Sequence, residues 1–332
     1  MSAPETRTGT TRSRAAPRSS GADGLLIGHL PVQARVAGGL LLLAGVVGAV
    51  APFLPYLVVG GTSLRLAAGV GSALVQLVVP VVSGVVGAGL AAGRVPKFGL
   101  AYAAIGGALA VGNLLIELYR GRASTARPAV EVLAGRQVLT STVVARPGWV
   151  LGVAALALAV LAGATAVLAW ERTVMEDGGS LDPARAALAG TAVLLGVGTV
   201  LCLALPAADL PDRVVTDPTT GLQTVVTQEG PQALLERPGL ALLGGLLLAG
   251  AVVLCSVIAP SLRPRLAAVG GLLAIATTVL QAGLAGLRDA VSSAALEWTL
   301  PGAGLLLAGV LYALLTVAAW RVRRGARAKA PS

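Results

Sequence analysis

Residues 149–170 read WVLGVAALALAVLAGATAVLAW, twenty uncharged residues enclosed by two tryptophans. As an α-helix this stretch would be about 33 Å long, close to the thickness of the hydrocarbon core of a bilayer. Tryptophan is enriched at the two faces of a membrane, so Trp149 and Trp170 indicate where the helix enters and leaves. Trp298 and Trp320 bracket another apolar stretch in the same way. The pattern predicts helices that span a membrane.

The composition of the whole chain agrees with this stretch. Of its 332 residues, 55% are hydrophobic and 12% are charged, about half the charged fraction of an average soluble domain. Apolar runs long enough to cross a bilayer recur along the chain. We therefore predict an all-α integral membrane protein, a polytopic bundle of about eight transmembrane helices at residues 35–56, 64–92, 98–118, 148–170, 185–207, 239–259, 264–287 and 299–320.

These runs divide the chain into a membrane domain and two basic tails. Residues 1–30 are rich in Ser, Thr, Arg, Gly and Pro, a composition typical of disorder, residues 31–320 hold the eight helices, and residues 321–332 form the second tail. On this map the segments on the side of the tails hold 16 Lys and Arg residues and the opposite segments hold 9. Because basic segments favour the cytoplasmic side, we expect both termini in the cytoplasm.

The Arg-rich loop at residues 119–147 opposes that count, because the map places it on the outer side. A third run that entered the membrane and turned back would bring this loop inside and leave seven spans. Heavy use of Ala, Gly, Leu, Val and Arg is typical of a bacterial protein, so we expect a multi-pass protein of the bacterial plasma membrane. The expected partners are the bilayer, anionic lipid head groups at the basic tails and other membrane proteins, but not nucleic acid.

Two longer loops, residues 119–147 and 208–238, have a similar sequence pattern. Each contains two β-branched segments separated by turn residues, which predicts a small β-hairpin. Each ends in Arg-Pro-Gly, at residues 146–148 and 237–239, just before an apolar run. The similarity indicates either a degenerate repeat of residues 129–207 and 213–287 or chance resemblance within a sequence of low diversity.

Many of the 44 glycines in the chain lie inside the runs. Small residues four apart line one helix face and let two helix backbones approach closely. This spacing predicts helix-packing positions, although helices that slide during transport would use the same pattern. The candidates are Gly84, Gly89, Gly93, Gly106, Gly107 and Gly304.

A few polar side chains lie within the apolar runs, where they must be shielded from lipid. Asn113 and Glu117 are four residues apart and therefore share a helix face. They are candidates for the lining of a polar cavity together with Gln76 and Gln281; the alternative is that each makes a hydrogen bond between helices. Pro80 lies midway along the second run and predicts a kink there.

The sequence lacks the residues on which several classes of membrane enzyme depend. The single histidine, His29, precedes the first run, which excludes haem held between two intramembrane histidines. There is no HExxH, Walker A or aspartate-rich prenyl-diphosphate motif. We expect a protein that is not an enzyme and that has no metal site and no cofactor.

Two functions remain compatible with this pattern. The near absence of ionisable groups within the runs, the glycine-rich faces and the basic tail favour a scaffold or accessory subunit of a membrane complex. Pro80, the Asn113 and Glu117 face and the repeat pattern favour a permease or flippase-like carrier of a largely apolar or zwitterionic solute. A carrier requires a polar-lined cavity within the membrane, whereas a scaffold requires none.

Overall fold

The computed structural model describes residues 25–27, 30–67, 69–122, 130–133, 136–139, 142–177, 181–210, 213–216, 223–226, 239–292 and 296–327. Within these residues the fold consists of eight long helices: α1 (Val32–Val50), α2 (Val70–Ala91), α3 (Pro96–Arg120), α4 (Pro147–Trp170), α5 (Asp182–Leu203), α6 (Gly239–Ile258), α7 (Arg265–Ser292) and α8 (Leu300–Arg327). All eight are long and apolar enough to cross a membrane. The prediction of an all-α multi-pass membrane protein is confirmed.

Short strands connect the described helices. They are β1 (Leu25–Ile27), β2 (Leu57–Val59), β3 (Thr62–Leu64), β4 (Val130–Leu133), β5 (Arg136–Leu139), β6 (Val143–Ala145), β7 (Met175–Asp177), β8 (Ala208–Asp209), β9 (Arg213–Thr216), β10 (Gln223–Val226) and β11 (Glu297–Trp298). The pairs β4–β5 and β9–β10 are antiparallel hairpins. They are the two hairpins that the β-branched loops predict.

Neighbouring helices run in alternating directions. The backbone of Gly38 on α1 lies against Ala91 on α2, and Gly45 lies against Gly84, so these two helices are antiparallel. The contacts of α3 with α4, and of α7 with α8, follow the same rule. We call the end of the bundle where α1 begins the near end and the end where α1 finishes the far end. The loops after α1, α3, α5 and α7 therefore lie at the far end.

The most buried of the eight spans are α3 and α7. Leu100 and Leu109 on α3, with Leu272 and Ile275 on α7, are among the largest fully buried side chains in the described part of the chain. The outer helices instead expose large apolar side chains, such as Leu74 on α2 and Leu194 on α5. A surface of this kind is unfavourable in water and suited to lipid. The bundle therefore surrounds α3 and α7 with helices that face the bilayer.

The start of α2 differs from the sequence-based boundary at residue 64. Gly60 and Gly61 have φ values of +54° and +80°, and they form the tight turn between β2 and β3. Two successive positive φ angles suit a hairpin turn, and glycine adopts them without a steric penalty. Leu64, which was expected to open the second span, is instead the last residue of β3, and α2 begins at Val70.

Both tails are partly ordered where they join the bundle. Within residues 1–30, for which disorder was expected, β1 pairs antiparallel with β7, so backbone hydrogen bonds order that part of the tail. Helix α8 continues beyond residue 320 to Arg327. Residues 1–24, 28–29 and 328–332 lie outside the described residues.

Candidate functional site

A cavity of about 570 Å³ lies inside the bundle, in the half toward the far end. All eight helices contribute to its wall, and the loops near Tyr56 and Ala207 contribute at the far end. Its volume is within the range of about 300–1,000 Å³ that is typical of small-molecule sites. Gly48, Gly106 and Gly152 on the lining helices have no side chain, which leaves part of this space open.

The cavity brings together the four polar residues that were proposed from the sequence. Gln76 on α2, Asn113 and Glu117 on α3, and Gln281 on α7 all line its wall. The Nδ2 atom of Asn113 donates to the carbonyl oxygen of Leu109, one turn earlier, at 3.3 Å. These four residues come from three helices that are far apart in sequence, so their convergence is a property of the fold.

Glu117 is the centre of a charged group at the far end of the cavity. The hydroxyl of Tyr56 donates to its Oε1 atom, and Nη1 of Arg120 lies 3.3 Å from its Oε2 atom. The indole N–H of Trp149 donates to the backbone carbonyl of Glu117 at 2.9 Å. The side chain of Glu117 is 12% exposed and that of Arg120 is 42% exposed, in keeping with their position on the cavity wall.

The position of Tyr56 follows from the small sheet at the far end. Strand β2 pairs with β3 on one side and with β6 on the other, and Tyr56 immediately precedes β2. Its backbone N–H donates to the carbonyl of Leu64 at 2.9 Å, and its own carbonyl accepts from the N–H of Arg146 at 3.1 Å. Burial and the adjacent Glu117 carboxylate raise the pKa of the Tyr56 phenol, which favours its neutral, donating form.

A second pair of charged residues lines the cavity from α7. The Nε and Nη2 atoms of Arg288 both donate to Oδ1 of Asp289, at 2.8 and 2.5 Å. The two side chains are 12% and 26% exposed. The cavity wall thus carries two guanidinium groups and two carboxylates, and these formal charges balance.

Arg288 and Asp289 were not predicted as site residues, because the expected seventh span ended at residue 287. The structure extends α7 to Ser292. Arg288 follows Gln281 by seven residues, which is close to two helical turns, so both lie on one face of α7. This spacing was the available signal: a basic residue two turns from a polar residue of the same span.

The inner part of the cavity is mostly apolar. Leu109, Leu248 and Val252 line it, and the hydroxyls of Ser83 and Tyr102 lie there at 3.0 Å from each other. This Ser–Tyr pair satisfies two hydroxyl groups within the protein. The cavity is consequently amphipathic, with paired charges at the far end and aliphatic side chains toward the middle of the bundle.

The glycines proposed for helix packing occupy three kinds of position. At Gly107 an added Cβ would lie 2.7 Å from Cα of Gly163, and at Gly304 it would lie 2.6 Å from Sγ of Cys202. At Gly84, Gly89 and Gly106 an added Cβ would meet nothing within 4 Å, although the backbone of Gly84 itself receives Gly45. Gly93 has a φ of +71° and follows the last turn of α2, where a positive φ favours glycine.

The close helix contacts also involve glycines that sequence reasoning did not select. Gly38 and Gly45 on α1, Gly112 on α3 and Gly244 on α6 all lie where an added Cβ would approach a neighbouring backbone within 3 Å. Their partners are distant in sequence, so a spacing rule within one helix does not identify them.

Within the described residues, His, Cys, Asp and Glu side chains form no group of three or more that would hold a metal ion. Comparison with protein-family models, with curated proteins and with solved structures yields no match to this chain.

Proposed function

We propose that this protein is a carrier, of the permease or flippase kind, for an amphiphilic solute with a zwitterionic polar group. The observation that supports this most directly is the amphipathic cavity, with its balanced charges at one end and aliphatic wall at the other. A zwitterion matches a wall of zero formal charge, and an apolar body matches the aliphatic part. A solute with both properties makes favourable contacts along the whole cavity.

The cost of the charged groups supports a carrier over a scaffold. Ionisable side chains within a membrane are expensive to bury, and where they occur they usually line a solute or ion pathway. A subunit that acted only through its outer surface would gain nothing from Glu117, Arg120, Arg288 and Asp289 around a cavity. The tight glycine contacts, which had also motivated a scaffold role, are used here between helices of the same chain.

The position of α2 supports entry of the solute from the membrane. Gln76, Val79 and Ser83 on one face of this helix line the cavity, whereas Leu74 and Val85 on another face are 63% and 68% exposed. A single helix therefore separates the cavity from the surrounding lipid. Movement of α2 would connect the two and admit a membrane-dissolved solute from the side.

We further propose that the membrane is the bacterial plasma membrane and that both termini lie in the cytoplasm, with anionic lipid head groups at the basic tails. Cysteine labelling in intact cells tests the orientation. In a background of Cys202→Ser and Cys255→Ala, Ser63→Cys at the far end should react with an impermeant maleimide, and Arg94→Cys at the near end should react after lysis. The opposite labelling pattern would contradict a cytoplasmic location of the two termini.

Reconstitution into vesicles tests the carrier role. The protein is placed in phosphatidylcholine vesicles that contain a fluorescent short-chain phosphatidylcholine, and dithionite added outside quenches only the outer leaflet. Wild type should allow quenching of well over half of the fluorescence, because inner-leaflet lipid is carried outward. The double variant Asn113→Ala, Glu117→Leu should remain near the half expected of empty vesicles.

A matched control separates loss of function from loss of fold. Thr165→Val on α4 removes an intramembrane hydroxyl that bonds to Leu161 and Ala162 of its own helix and is outside the cavity wall. This variant should retain wild-type quenching. Quenching by the Asn113 and Glu117 double variant to the wild-type extent would remove those residues from the pathway. Quenching by wild type of no more than the half expected of empty vesicles would contradict a lipid-type carrier.

A further inference from the structure

The guanidinium of Arg288 has one edge that is paired and one that is not. Nε and Nη2 donate to Asp289, whereas Nη1 is buried and has no hydrogen-bond partner in the described part of the chain. A buried N–H of a charged group without an acceptor is costly, and native proteins rarely leave one unsatisfied. Arg288 therefore has hydrogen-bonding capacity that the protein itself does not use.

The surroundings of Arg288 indicate which kind of group would use that capacity. Nη1 of an arginine carries two N–H donors in a planar, permanently charged group, and it binds carboxylate or phosphate oxygens preferentially. Arg288 lines the same cavity wall as Arg120, whose Nη1 lies 3.3 Å from Glu117. An anionic acceptor beside Arg288 at this end of the cavity would give Nη1, which is enclosed and without a partner, the hydrogen bonds that it lacks.

We propose that the far end of the cavity is a subsite for the anionic oxygens of the solute, a phosphate or carboxylate, and that Arg288 binds them through Nη1. This inference rests on the proposed carrier function and specifies the polar part of its solute. The phenol of Tyr56 and the Arg120 guanidinium hold Glu117 from two sides. The Glu117 carboxylate, on the same wall, offers acceptors to the cationic part of a zwitterion.

The arrangement also assigns an orientation to the bound solute. Its charged group lies at the far end, near the loops that hold Tyr56, and its apolar part extends toward Leu109 and Val252. An amphiphile placed the other way round would set its charge against aliphatic side chains and leave Nη1 of Arg288 without an acceptor. The subsite is thus specific for a solute whose anionic group is at one end.

Thermal unfolding in a non-ionic maltoside detergent tests the subsite independently of transport. Dioleoyl phosphatidylcholine, dioleoylglycerol and inorganic phosphate are titrated separately, and Tm is followed by tryptophan fluorescence. Phosphatidylcholine should raise the Tm of wild type by several degrees through preferential binding to the folded state, and dioleoylglycerol, which has the same tails but no phosphate, should raise it less. Stabilisation by inorganic phosphate alone would support the anion subsite and identify a soluble anion as its ligand.

Variants of Arg288 test whether this residue binds the anionic group of the lipid. In Arg288→Gln the titration midpoint for phosphatidylcholine should increase about tenfold or more, as expected for loss of a charge-assisted hydrogen bond. Arg288→Lys keeps the charge and loses the planar guanidinium, so its titration midpoint should be intermediate. It is the variant of choice if Arg288→Gln does not fold. Arg94→Gln, an exposed arginine at the near end, should titrate as wild type.

Two outcomes would overturn the subsite: equal stabilisation by dioleoylglycerol and phosphatidylcholine, or an unchanged midpoint in Arg288→Gln and Arg288→Lys. Lipid movement in vesicles without head-group-dependent stabilisation would contradict the subsite and leave the carrier function intact. Head-group-dependent stabilisation without movement would contradict the carrier function and support the anion site.

Discussion

The side-chain oxygen of Gln281 on α7 accepts a hydrogen bond from the backbone N–H of Val79 on α2, at 3.1 Å and across 202 residues of sequence. Val79 immediately precedes Pro80, which lies inside α2 and has no N–H of its own. The ring of a proline within a helix also clashes with the carbonyl four residues earlier. The backbone hydrogen bonds of α2 are therefore weakened near Pro80. Gln281 thus binds α2 at the turn that Pro80 loosens, on the wall of the cavity.

Replacement of Gln281 by Leu should loosen this turn of α2. The N–H of Val79 loses its acceptor on α7, and we expect a destabilisation of about 0.6–1 kcal/mol, the usual size of an intramembrane hydrogen bond between helices. Hydrogen exchange measured by mass spectrometry on peptides that cover residues 74–84 should become faster. Thr278→Val is the control, because Thr278 also lines the cavity from α7 but bonds to Ala274 of its own helix; equal exchange in the two variants would contradict the prediction.

The phenol of Tyr56 should make stability depend on alkaline pH. Its pKa is raised above the ordinary value of 10.0 by burial and by Glu117. The folded protein therefore holds this proton more tightly than the unfolded chain, and the resulting stability is complete below about pH 10 and is lost as the pH rises through the folded-state pKa. Tyr56→Phe has no such proton, so its Tm should fall less steeply than that of wild type above about pH 10.

The same variant has an effect at neutral pH. Loss of the hydrogen bond from Tyr56 to the Glu117 carboxylate should cost about 1.5–3 kcal/mol, the range for a bond to a charged group. Thermal melts at several pH values measure both effects in one series. Parallel curves for Tyr56→Phe and wild type across the alkaline range would show that this phenol does not contribute to the pH dependence.

Gly107→Ala should separate α3 from α4. The added methyl would lie 2.7 Å from Cα of Gly163, too close for two carbon atoms, so the helices must move apart at a cost of about 1–3 kcal/mol. Gly89→Ala is the matched control, since a methyl there meets nothing within 4 Å. Its Tm in detergent should equal or exceed that of wild type, because alanine favours helix over glycine. A similar Tm for both variants would contradict the assignment of Gly107 to a tight contact.

Lys97→Met should destabilise the near end of the bundle. Lys97 is buried at the start of α3, where its Nζ atom donates to the carbonyl of Trp170 at 2.5 Å and lies 4.2 Å from the centre of that indole ring. Trp170 ends α4, and its carbonyl is one of those that a helix terminus leaves unpaired. Loss of this hydrogen bond and of the cation–π contact should cost about 2–4 kcal/mol, measured as a lower Tm. Arg94→Met, which replaces an exposed cation nearby, should have little effect.

The features predicted correctly from the sequence are those that depend on local pattern. Eight apolar runs predict eight helices, and the β-branched loops predict the hairpins β4–β5 and β9–β10, because length, hydropathy and turn residues within a short window decide each element. The start of α2 was predicted wrongly at residue 64, since an apolar segment of that length reads equally as helix or strand. There Gly60 and Gly61, which make the turn, were the better indicator.

The composition of the candidate site was only partly predictable. Asn113 and Glu117 were identified as neighbours because the helix period places them on one face. The contact between Tyr56 and Glu117 joins residues 61 positions apart, and it depends on the pairing of β2 with β6, which brings two loops together. No local signal in the sequence specifies that pairing. The convergence of α2, α3 and α7 on one cavity is likewise a result of tertiary packing.

At the far end, the described strands join the helix-connecting loops in two separate sheets. The sheet of β3, β2 and β6 joins the loop after α1 to the loop after α3, and β8 pairs with β11 to join the loop after α5 to the loop after α7. Among the described strands, no pairing at this end crosses from the first four helices to the last four. At the mouth of the cavity the two halves of the described bundle are therefore held together by helix packing, chiefly that of α3 against α6 and α7, and by no described strand pair.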